Sequence, residues 1–287
     1  MTPLLRATLA ATLACGFFAG ASALGKAALT ILPGPDLHPL QVTAARFLFG
    51  FLALAPFLMV KGRGVFRTEI PLRHLQRVVL GVGGIACVFG ALEVMPLADV
   101  TSVARASPLF ALVFAAWFLR ERVDGARWIA ALIGFLGVAV MMSPGAASFK
   151  PMAVIALAAA VFTGAEIVTI RLLAGRESRL TVLAINNALG TLIACSIASF
   201  VFVWPSWQQL IAMAGVGVVM VTGQALFLQA FRLAEASVVA PLYYSTVVWS
   251  VVIGMAIFDE QPGWRLYLGA SLIIGAGAYV AWRESRR

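Results

Sequence analysis

The chain has 287 residues, of which 62% are hydrophobic and 11% are charged, and its formal net charge is +9. A soluble domain carries about 25% charged residues, so a chain this apolar has too few polar groups to cover its own surface. The composition indicates an integral membrane protein and excludes an ordinary soluble domain. The basic residues stand in short clusters between apolar runs, as membrane orientation requires, so nucleic acid is not the predicted partner.

Apolar segments of about 20 residues, the length that crosses a bilayer, recur along the chain. They are predicted to be helices, because an isolated strand cannot satisfy its backbone hydrogen bonds in lipid. The first five predicted cores are Leu4–Leu29, His38–Val60, Leu75–Val94, Ala98–Leu119 and Gly125–Met142. After a break at Ser143–Pro151, five more follow, Met152–Ala174, Leu180–Trp204, Gln208–Leu233, Ser237–Phe258 and Trp264–Trp282. The predicted fold class is an all-α membrane protein with ten transmembrane helices.

The lysines and arginines predict the orientation of these helices. With a cytoplasmic N-terminus, sixteen of the 21 basic residues lie in cytoplasmic segments, Arg77 among them, and three lie outside, Lys26, Lys150 and Arg265. The positive-inside rule therefore predicts that both termini lie in the cytoplasm. The first segment also has features of a signal peptide, with Ala21-Ser22-Ala23 as a cleavage site. It is, however, long for a signal core and has a counterpart in the second half.

Short motifs that recur in the same order predict an internal repeat. Phe18-Ala19-Gly20 in the first helix corresponds to Phe162-Thr163-Gly164 in the sixth. Leu97-Ala98-Asp99 in the fourth helix corresponds to Leu233-Ala234-Glu235 in the ninth. Because five is odd, the second set of helices enters the membrane with the opposite orientation. The predicted domains are residues 1–145 and residues 146–287, two inverted five-helix repeats. In transporters, such repeats place the substrate site near the midplane between them.

Polar residues at membrane depth are the candidate substrate-binding groups. Counted at about 1.5 Å per residue, two layers emerge, about 10–12 Å below the outer helix ends and about 10–13 Å above the inner ends. The outer layer contains Ser22, Arg46 and Arg105. The inner layer contains Glu166, Asn187, Gln224 and Tyr244. In a core about 30 Å thick the layers are about 8–10 Å apart, which suits a bipolar ligand of amino-acid size or somewhat larger.

Arg105 is the most informative of these residues. An arginine inside an apolar helix costs about 2.5–3.5 kcal/mol on insertion scales, so it is expected to be paired or functional. Helical spacing places Thr101 and Pro108 on its face. The same spacing in the ninth helix groups Pro241, Tyr244 and Ser245. Because a proline frees a carbonyl and kinks its helix, Pro108 and Pro241 are predicted hinges.

Structural roles compete with these functional ones. Arg46 and Arg105 have two structural alternatives, pairing with Glu93 at the outer end of the third helix or with backbone carbonyls. Glu166 has no basic residue at matching depth except Arg171, which leaves open whether its carboxylate is packed or faces a cavity and takes up a proton. For Tyr244, a cavity contact and a plain interior aromatic both remain open.

The cysteines and histidines predict neither a disulfide framework nor a metal site. Cys15, Cys87 and Cys195 all lie in apolar runs, and their odd number and spacing favour buried packing. His38 and His74 lie at opposite ends of the predicted topology, where both are expected to be exposed. No cofactor is predicted.

Two long motifs resemble a known family. The run MPLADVTSVARASPLFALVFAAWFLRERV, followed by GARWIAALIGFLGVAVMMSPG, resembles the EamA-type transporters of the drug/metabolite transporter superfamily. The run RLAEASVVAPLYYSTVVWSVVIGMAIFDEQPGWRLYLGASLIIGAGAYVAWRE resembles the same module. The resemblance covers essentially the whole chain, although the first helix has Phe18-Ala19-Gly20 where the family often has a tryptophan-glycine pair. It implies an inner-membrane carrier of small organic metabolites, often an amino-acid exporter, with a central cavity between the repeats.

The sequence therefore predicts a secondary transporter that exports amino acids or related compounds by alternating access. In this hypothesis Arg105, supported by Arg46, attracts a carboxylate, and Glu166 binds an amino group or carries a coupling proton. Tyr244 and Ser245 supply stacking and hydrogen bonds. The predicted partners are a small-molecule metabolite and the lipid bilayer, with monomer and homodimer both open.

Other functions fit the sequence less well. An importer of a vitamin or nucleoside-like metabolite, of the riboflavin or S-adenosylmethionine type, is the main alternative, since the resemblance does not fix substrate or direction. An intramembrane enzyme would need a nucleophile with a base, or metal ligands, at matching depth, and no histidine is predicted there. A receptor would need a sizeable soluble domain, but the longest predicted loop, Lys61 to His74, is short and basic. No nucleotide-binding loop is present to let ATP drive transport directly.

Overall fold

The computed structural model describes residues 3–118, 125–142, 153–173, 177–233 and 245–284, together with Leu242. Across these ranges the regular structure is helical, without strands, as predicted. The first half contains α1 (Pro3–Thr30), α2 (Pro39–Lys61), α3 (Pro71–Leu92), α4 (Leu97–Ala104), α5 (Ser107–Phe118) and α6 (Gly125–Met142). The second half contains α7 (Ala153–Leu173), α8 (Arg179–Ala198), α9 (Trp207–Leu233), α10 (Ser245–Phe258) and α11 (Trp264–Glu284).

Many of these helices have the length and composition of membrane spans. Among the described residues, six segments qualify, Leu5–Thr30, Pro39–Lys61, Pro71–Leu92, Leu97–Trp117, Leu180–Val201 and Trp207–Phe227. Shorter apolar helices lie at Ala153–Thr169, Ser245–Phe258 and Trp264–Ala276. Large apolar side chains such as Phe57, Trp117 and Leu132 are exposed on the outside of the helices, where a bilayer would cover them. The protein is therefore a multi-pass membrane protein.

Helix ends follow the local chemistry of the sequence. Pro39 and Pro71 stand in the first turns of α2 and α3, where the missing proline N–H costs nothing. The His38 ring accepts a hydrogen bond from the Leu40 backbone N–H (3.2 Å) at the start of α2. Ser178 caps α8 by accepting a hydrogen bond from the Thr181 backbone N–H (3.1 Å).

The helices pack mainly across the two halves of the chain. α1 packs against α9 and α10, α3 against α7 and α8, and α2 against α8 and α9. α5 packs on α7, and α6 packs on α11. The α2–α9 contact is so close that a Cβ atom on Gly217 would lie 2.6 Å from the Gly50 backbone nitrogen. Gly50 and Gly217 thus allow α2 and α9 to approach closely.

The principal apolar core lies where α1, α3, α4, α9 and α11 meet. Its largest fully buried side chains are Phe89, Leu92, Leu97, Val100, Val103, Val216 and Ile273, together with Val42 of α2. The core surrounds the turn from α3 to α4, which follows the tight turn predicted at Met95-Pro96. It fixes the position of α4 relative to both halves of the chain.

The fourth predicted helix, Ala98–Leu119, is interrupted rather than merely kinked. α4 ends at Ala104, α5 begins at Ser107, and Arg105 and Ala106 form a turn between them. The Ala106 N–H donates to the Val103 carbonyl (3.0 Å), which tightens the last turn of α4. Pro108 explains the interruption, because proline has no N–H for the carbonyl four residues earlier and its ring clashes with that carbonyl.

Candidate functional site

Glu166 of α7 meets two arginines from other helices. The Glu166 carboxylate oxygen Oε1 lies 3.5 Å from Nε of Arg77 in α3. Arg46 of α2 also interacts electrostatically with both Glu166 and Arg77. Gly81, one turn after Arg77, leaves room for the carboxylate, since a Cβ atom there would lie 3.3 Å from Glu166 Oε1. We call this group of two positive charges and one negative charge the Arg46–Arg77–Glu166 cluster.

The place of Arg77 corrects the sequence prediction. The positive-inside count assigns Arg77 to the cytoplasm, but its residue is only 7% exposed, and its Nη1 donates to the Val182 carbonyl of α8 (3.4 Å). The expectation that Glu166 has no basic neighbour at its depth apart from Arg171 is also wrong. The Arg77 side chain starts two turns inside α3 and is long enough to reach a carboxylate on the adjacent helix.

Arg46 is more deeply buried than Arg77, with 4% of its surface exposed. Its guanidinium carbon lies 4.1 Å from the centroid of the Phe47 ring. Its Nε and Nη1 have no hydrogen-bond partner among the described residues. Glu93, the alternative partner in the sequence analysis, is exposed and forms no ion pair with Arg46. A buried guanidinium with unused donors suits a carboxylate or another anionic group.

Asn187 of α8 extends the polar region along α2. It is fully buried, and its Nδ2 donates to the Leu183 carbonyl (2.8 Å). Its Oδ1 has no hydrogen-bond partner in the described part of the chain. A Cβ atom on Gly50, one turn after Arg46, would lie 2.8 Å from this oxygen. Because Gly50 lies one turn after Arg46, Asn187 packs against the same face of α2 that carries Arg46.

The other described candidates lie on α1, α9 and α10, on α4 and in the turn that follows α4. Arg105 occupies the turn between α4 and α5 and is half-buried. Thr101 Oγ1 donates to the Leu97 carbonyl (2.8 Å), and Ser22 Oγ donates to the Phe18 carbonyl (3.2 Å). These two hydroxyl hydrogens are used within their own helices, so only their oxygens are available, as acceptors. Over the described ranges, Gln224 Oε1 and Ser245 Oγ are buried without a hydrogen-bond partner.

Two candidates of the predicted ninth helix, Pro241 and Tyr244, lie outside the described residues. The side chain of Pro108 also lies outside them. The structure brings together Arg46, Glu166 and Asn187 and adds Arg77, which the sequence analysis did not select. The signal for Arg77 was its distance from the helix start, since a cation two turns inside an apolar helix needs a partner.

The predicted exposure was correct for one of the two histidines. His38 is exposed as expected, but His74 is 1% exposed, and its Nε2 lies 3.7 Å from Glu177 Oε1. Thr68 Oγ1 donates to the same carboxylate oxygen (2.5 Å). None of the three cysteines forms a disulfide bond in the part of the chain that the structure describes. Within the described ranges, no group of three or more His, Cys, Asp and Glu residues could hold a metal ion.

Comparison with known proteins decides the family. The model of the EamA-like transporter family matches residues 5–143 and again residues 150–282. The chain belongs to the EamA-like transporter family. As an EamA-like protein it is a small-molecule transporter, whose substrate and direction the family alone leaves unresolved.

Individual relatives of this EamA-like chain are named as transporters rather than enzymes. The chain is 31% identical over 273 residues to the pseudopaline exporter of Pseudomonas aeruginosa, covering 93% of each chain. It is 30% identical over 240 residues to the riboflavin transporter of Rhizobium johnstonii, covering 83% of this chain and 80% of the relative. It is 28% identical over 254 residues to the S-adenosylmethionine uptake transporter of Rickettsia conorii, covering 88% and 86%.

A solved crystal structure shares the fold of the EamA-like chain. It superposes with a TM-score of 0.62 at 23% identity and covers 98% of this chain and 99% of its own. At that identity the likeness shows the fold alone.

Proposed function

We propose that the protein is a secondary transporter of the bacterial inner membrane that exports an amino acid or a related small organic compound. The observation that carries the proposal is the Arg46–Arg77–Glu166 cluster, which joins α2 and α3 of the first half to α7 of the second. Ionisable residues inside apolar helices are costly and commonly mark a substrate path. A cluster with unused donors and both signs of charge suits a zwitterionic ligand.

Each candidate residue has a proposed role. Arg105 and Arg46 bind the substrate carboxylate, and Glu166 binds its amino group or carries a coupling proton. Arg77 positions the Glu166 carboxylate. Tyr244 and Ser245 contact the substrate by stacking and hydrogen bonding. Further hydrogen bonds come from Ser22, Thr101, Asn187 and Gln224.

Alternating access is proposed to occur between two inverted five-helix repeats, residues 1–145 and 146–287. If α4 and α5 together count as the fourth helix, the observed contacts form repeat-related pairs. The α1–α9 contact corresponds to α7–α3, and the α1–α10 contact corresponds to α7–α5. The α2–α8 and α6–α11 contacts each correspond to themselves. This pairing supports the repeat, as do the two matches to one family model. Pro108 and Pro241 are the proposed hinges, and both termini are proposed to be cytoplasmic.

Import of a vitamin or nucleoside-like metabolite is the second candidate. It is supported by the relatives named as an S-adenosylmethionine uptake transporter and a riboflavin transporter. S-Adenosylmethionine carries an amino-acid group, so its carboxylate and ammonium would engage the same cluster. The two candidates therefore differ in direction and in the substrate portion beyond that group.

Flux across pH tests the proposed roles. Purified protein is reconstituted into proteoliposomes, and uptake or efflux of a metabolite panel is measured for the wild type, Arg105→Gln and Glu166→Gln. We expect both variants to lose most of the flux, and Glu166→Gln also to lose the pH dependence if its carboxylate carries the coupling proton. Exposed Arg73→Gln and Glu69→Gln are the matched controls, expected to transport like the wild type. Wild-type rates in both test variants at every pH would overturn these roles.

A further inference from the structure

A second buried ion pair lies at the other end of the helices. Lys26, near the end of α1, is 9% exposed, and its ammonium group pairs with the Glu260 carboxylate. The ammonium also donates to the Met95 carbonyl in the α3–α4 turn (2.9 Å) and lies 4.9 Å from the centroid of the Phe258 ring. Lys26 was predicted to lie outside the membrane at a helix end, but its ammonium group is buried in the protein.

Glu260 also binds the start of α4. The Leu97 N–H donates to both carboxylate oxygens, at 2.8 Å to Oε1 and 2.9 Å to Oε2. A carboxylate at a helix N-terminus satisfies a free N–H group and interacts favourably with the helix dipole. Glu260 thus joins α1, the α3–α4 turn and the end of α10 in one contact, which we call the Lys26–Glu260 link.

The backbone after α10 is shaped to make this contact. Asp259 has a φ of +52°, in the left-handed region, and the Glu260 N–H donates to the Gly254 carbonyl (3.1 Å). The chain therefore folds back over the last turn of α10. Gly254 is required there, because a Cβ atom would lie 2.5 Å from Glu260 Oε2. The Glu260 carboxylate is directed across to α1 and α4 rather than away from the protein.

We propose that the Lys26–Glu260 link is the latch that keeps the outer end of the transport path closed. The proposal rests on the proposed alternating access and orientation. The link joins both halves of the chain, so an outward opening that separates them must break it. Its partners are buried together when the path is closed and gain water when it opens. Removing one partner of a buried ion pair leaves an uncompensated charge, which is strongly destabilising, whereas an opening that admits water lets both charges be hydrated.

The reaction of a cysteine beneath the latch with an external reagent tests the proposal. Thr101 is 3% exposed and lies one turn after Leu97, on the same face of α4. In a background with Cys15, Cys87 and Cys195 replaced by alanine, Thr101→Cys is labelled in intact cells with a membrane-impermeant maleimide. We expect Lys26→Met and Glu260→Gln each to raise the labelling rate about tenfold, because each removes one partner of a buried pair.

Lys26→Arg and a double variant distinguish the loss of the latch from a general loss of structure. Glu260→Gln keeps an oxygen for the Leu97 N–H, and Lys26→Arg keeps the positive charge, so Lys26→Arg is expected to label like the parent. The double variant Lys26→Met/Glu260→Gln is expected to label no faster than either single variant, since both break one link. Exposed Lys61→Met and Glu93→Gln are the matched controls.

The opposite results would overturn the proposal. These are unchanged labelling in Lys26→Met and Glu260→Gln, faster labelling in Lys26→Arg equal to that in Lys26→Met, and additive effects in the double variant. Labelling that rises only in everted vesicles would overturn the assignment to the outer end. Because labelling needs no substrate, a missing flux together with the expected labelling pattern would refute the proposed substrate and leave the latch supported.

Discussion

At the scale of single residues, the unequal charge of the Arg46–Arg77–Glu166 cluster is the feature that most needs an explanation. Glu166 is the only acid that the described residues offer to two buried arginines, and Arg77 is the nearer of the two. Arg46 keeps unused donors in that same set of residues. In the proposed function, Arg77 therefore positions the protein's own carboxylate, and Arg46 binds the ligand.

The pairing of Arg77 with Glu166 predicts a non-additive effect on stability. Arg77→Gln leaves a buried carboxylate with one fewer partner, and breaking a buried pair costs about 3–5 kcal/mol. We expect the apparent Tm in detergent to fall by several degrees. The double variant Arg77→Gln/Glu166→Gln should recover part of the loss, because neither charge is left behind. A double variant whose loss equals the sum of the two single losses would contradict the pairing, and Arg73→Gln is the exposed control.

The contact between Gly50 and Asn187 predicts a steric effect that a second substitution relieves. A Cβ atom on Gly50 would lie 2.8 Å from Asn187 Oδ1 and 3.1 Å from Val221 Cγ2. We expect Gly50→Ala to lower both flux and apparent Tm. Asn187→Ala in the same chain should restore much of the Tm, because it removes the crowded oxygen, but not the flux, if that oxygen binds substrate. A Tm of Gly50→Ala equal to that of the wild type would show that the contact is not tight.

Whether the sequence alone could identify a buried charged residue depended on its neighbours along the chain. Arg46 and Glu166 stand inside apolar runs, so their cost in the membrane marks them without a structure. Arg77 follows a basic loop closely and is counted with it, although its long side chain turns inward. The partners Lys26 and Glu260 are 234 positions apart in the chain. Neither lies deep enough in its segment to be conspicuous, so only the packing of α1 against α10 reveals their contact.

At the scale of elements, the interruption between α4 and α5 sets the position of Arg105. The turn puts Arg105 at the C-terminal end of α4, with α5 starting two residues later. At the interruption α5 and α7 touch closely, since a Cβ atom on Gly164 would lie 2.9 Å from the Ser107 carbonyl. Gly164 is about 3 Å along α7 from Glu166. The sequence predicted a kink at Pro108. The structure shows a full interruption, because Pro108 has no N–H for the Ala104 carbonyl, and α5 packs closely on α7 at Gly164 beside it.

The interruption predicts a role for Pro108 that another proline does not share. Pro108→Ala restores an N–H that permits a continuous helix, so we expect flux to fall about tenfold, as for a hinge that can no longer bend, with the amount of folded protein unchanged. Pro56→Ala is the matched control, because Pro56 lies inside α2 without interrupting it. Flux in Pro108→Ala equal to that in Pro56→Ala would exclude a hinge at the interruption.

At the scale of the whole molecule, the main packing contacts and both buried groups of charges lie between the two halves of the chain. Helices of one half pack mainly on helices of the other, so a relative movement of the halves has to change these contacts. The Arg46–Arg77–Glu166 cluster lies toward the start of α3, and the Lys26–Glu260 link lies beyond its end. The order of the helices was predictable from the apolar segments, whereas the pairing of α1 with α9 required the structure.

The proposed orientation predicts where reporters fused to the chain are active. Alkaline phosphatase, which needs the oxidising periplasm, should be active when fused after Pro35, in the α1–α2 loop, and inactive when fused after Arg287. Green fluorescent protein should show the reverse pattern, fluorescing only at Arg287. Phosphatase activity at Arg287 would reverse the topology and move the Lys26–Glu260 link to the cytoplasmic end.

Counterflow in proteoliposomes tests the central claim, that a cluster of charges between the halves binds a zwitterionic metabolite, most directly. Vesicles loaded with unlabelled amino acids, S-adenosylmethionine or riboflavin, which has no carboxylate, are assayed for uptake of the same labelled compound by wild-type protein, Arg46→Gln and exposed Arg73→Gln. The account predicts exchange of at least one compound that carries both a carboxylate and an amino group, lost in Arg46→Gln and retained in Arg73→Gln. Exchange at the wild-type rate in Arg46→Gln, or only of compounds without a carboxylate, would contradict it.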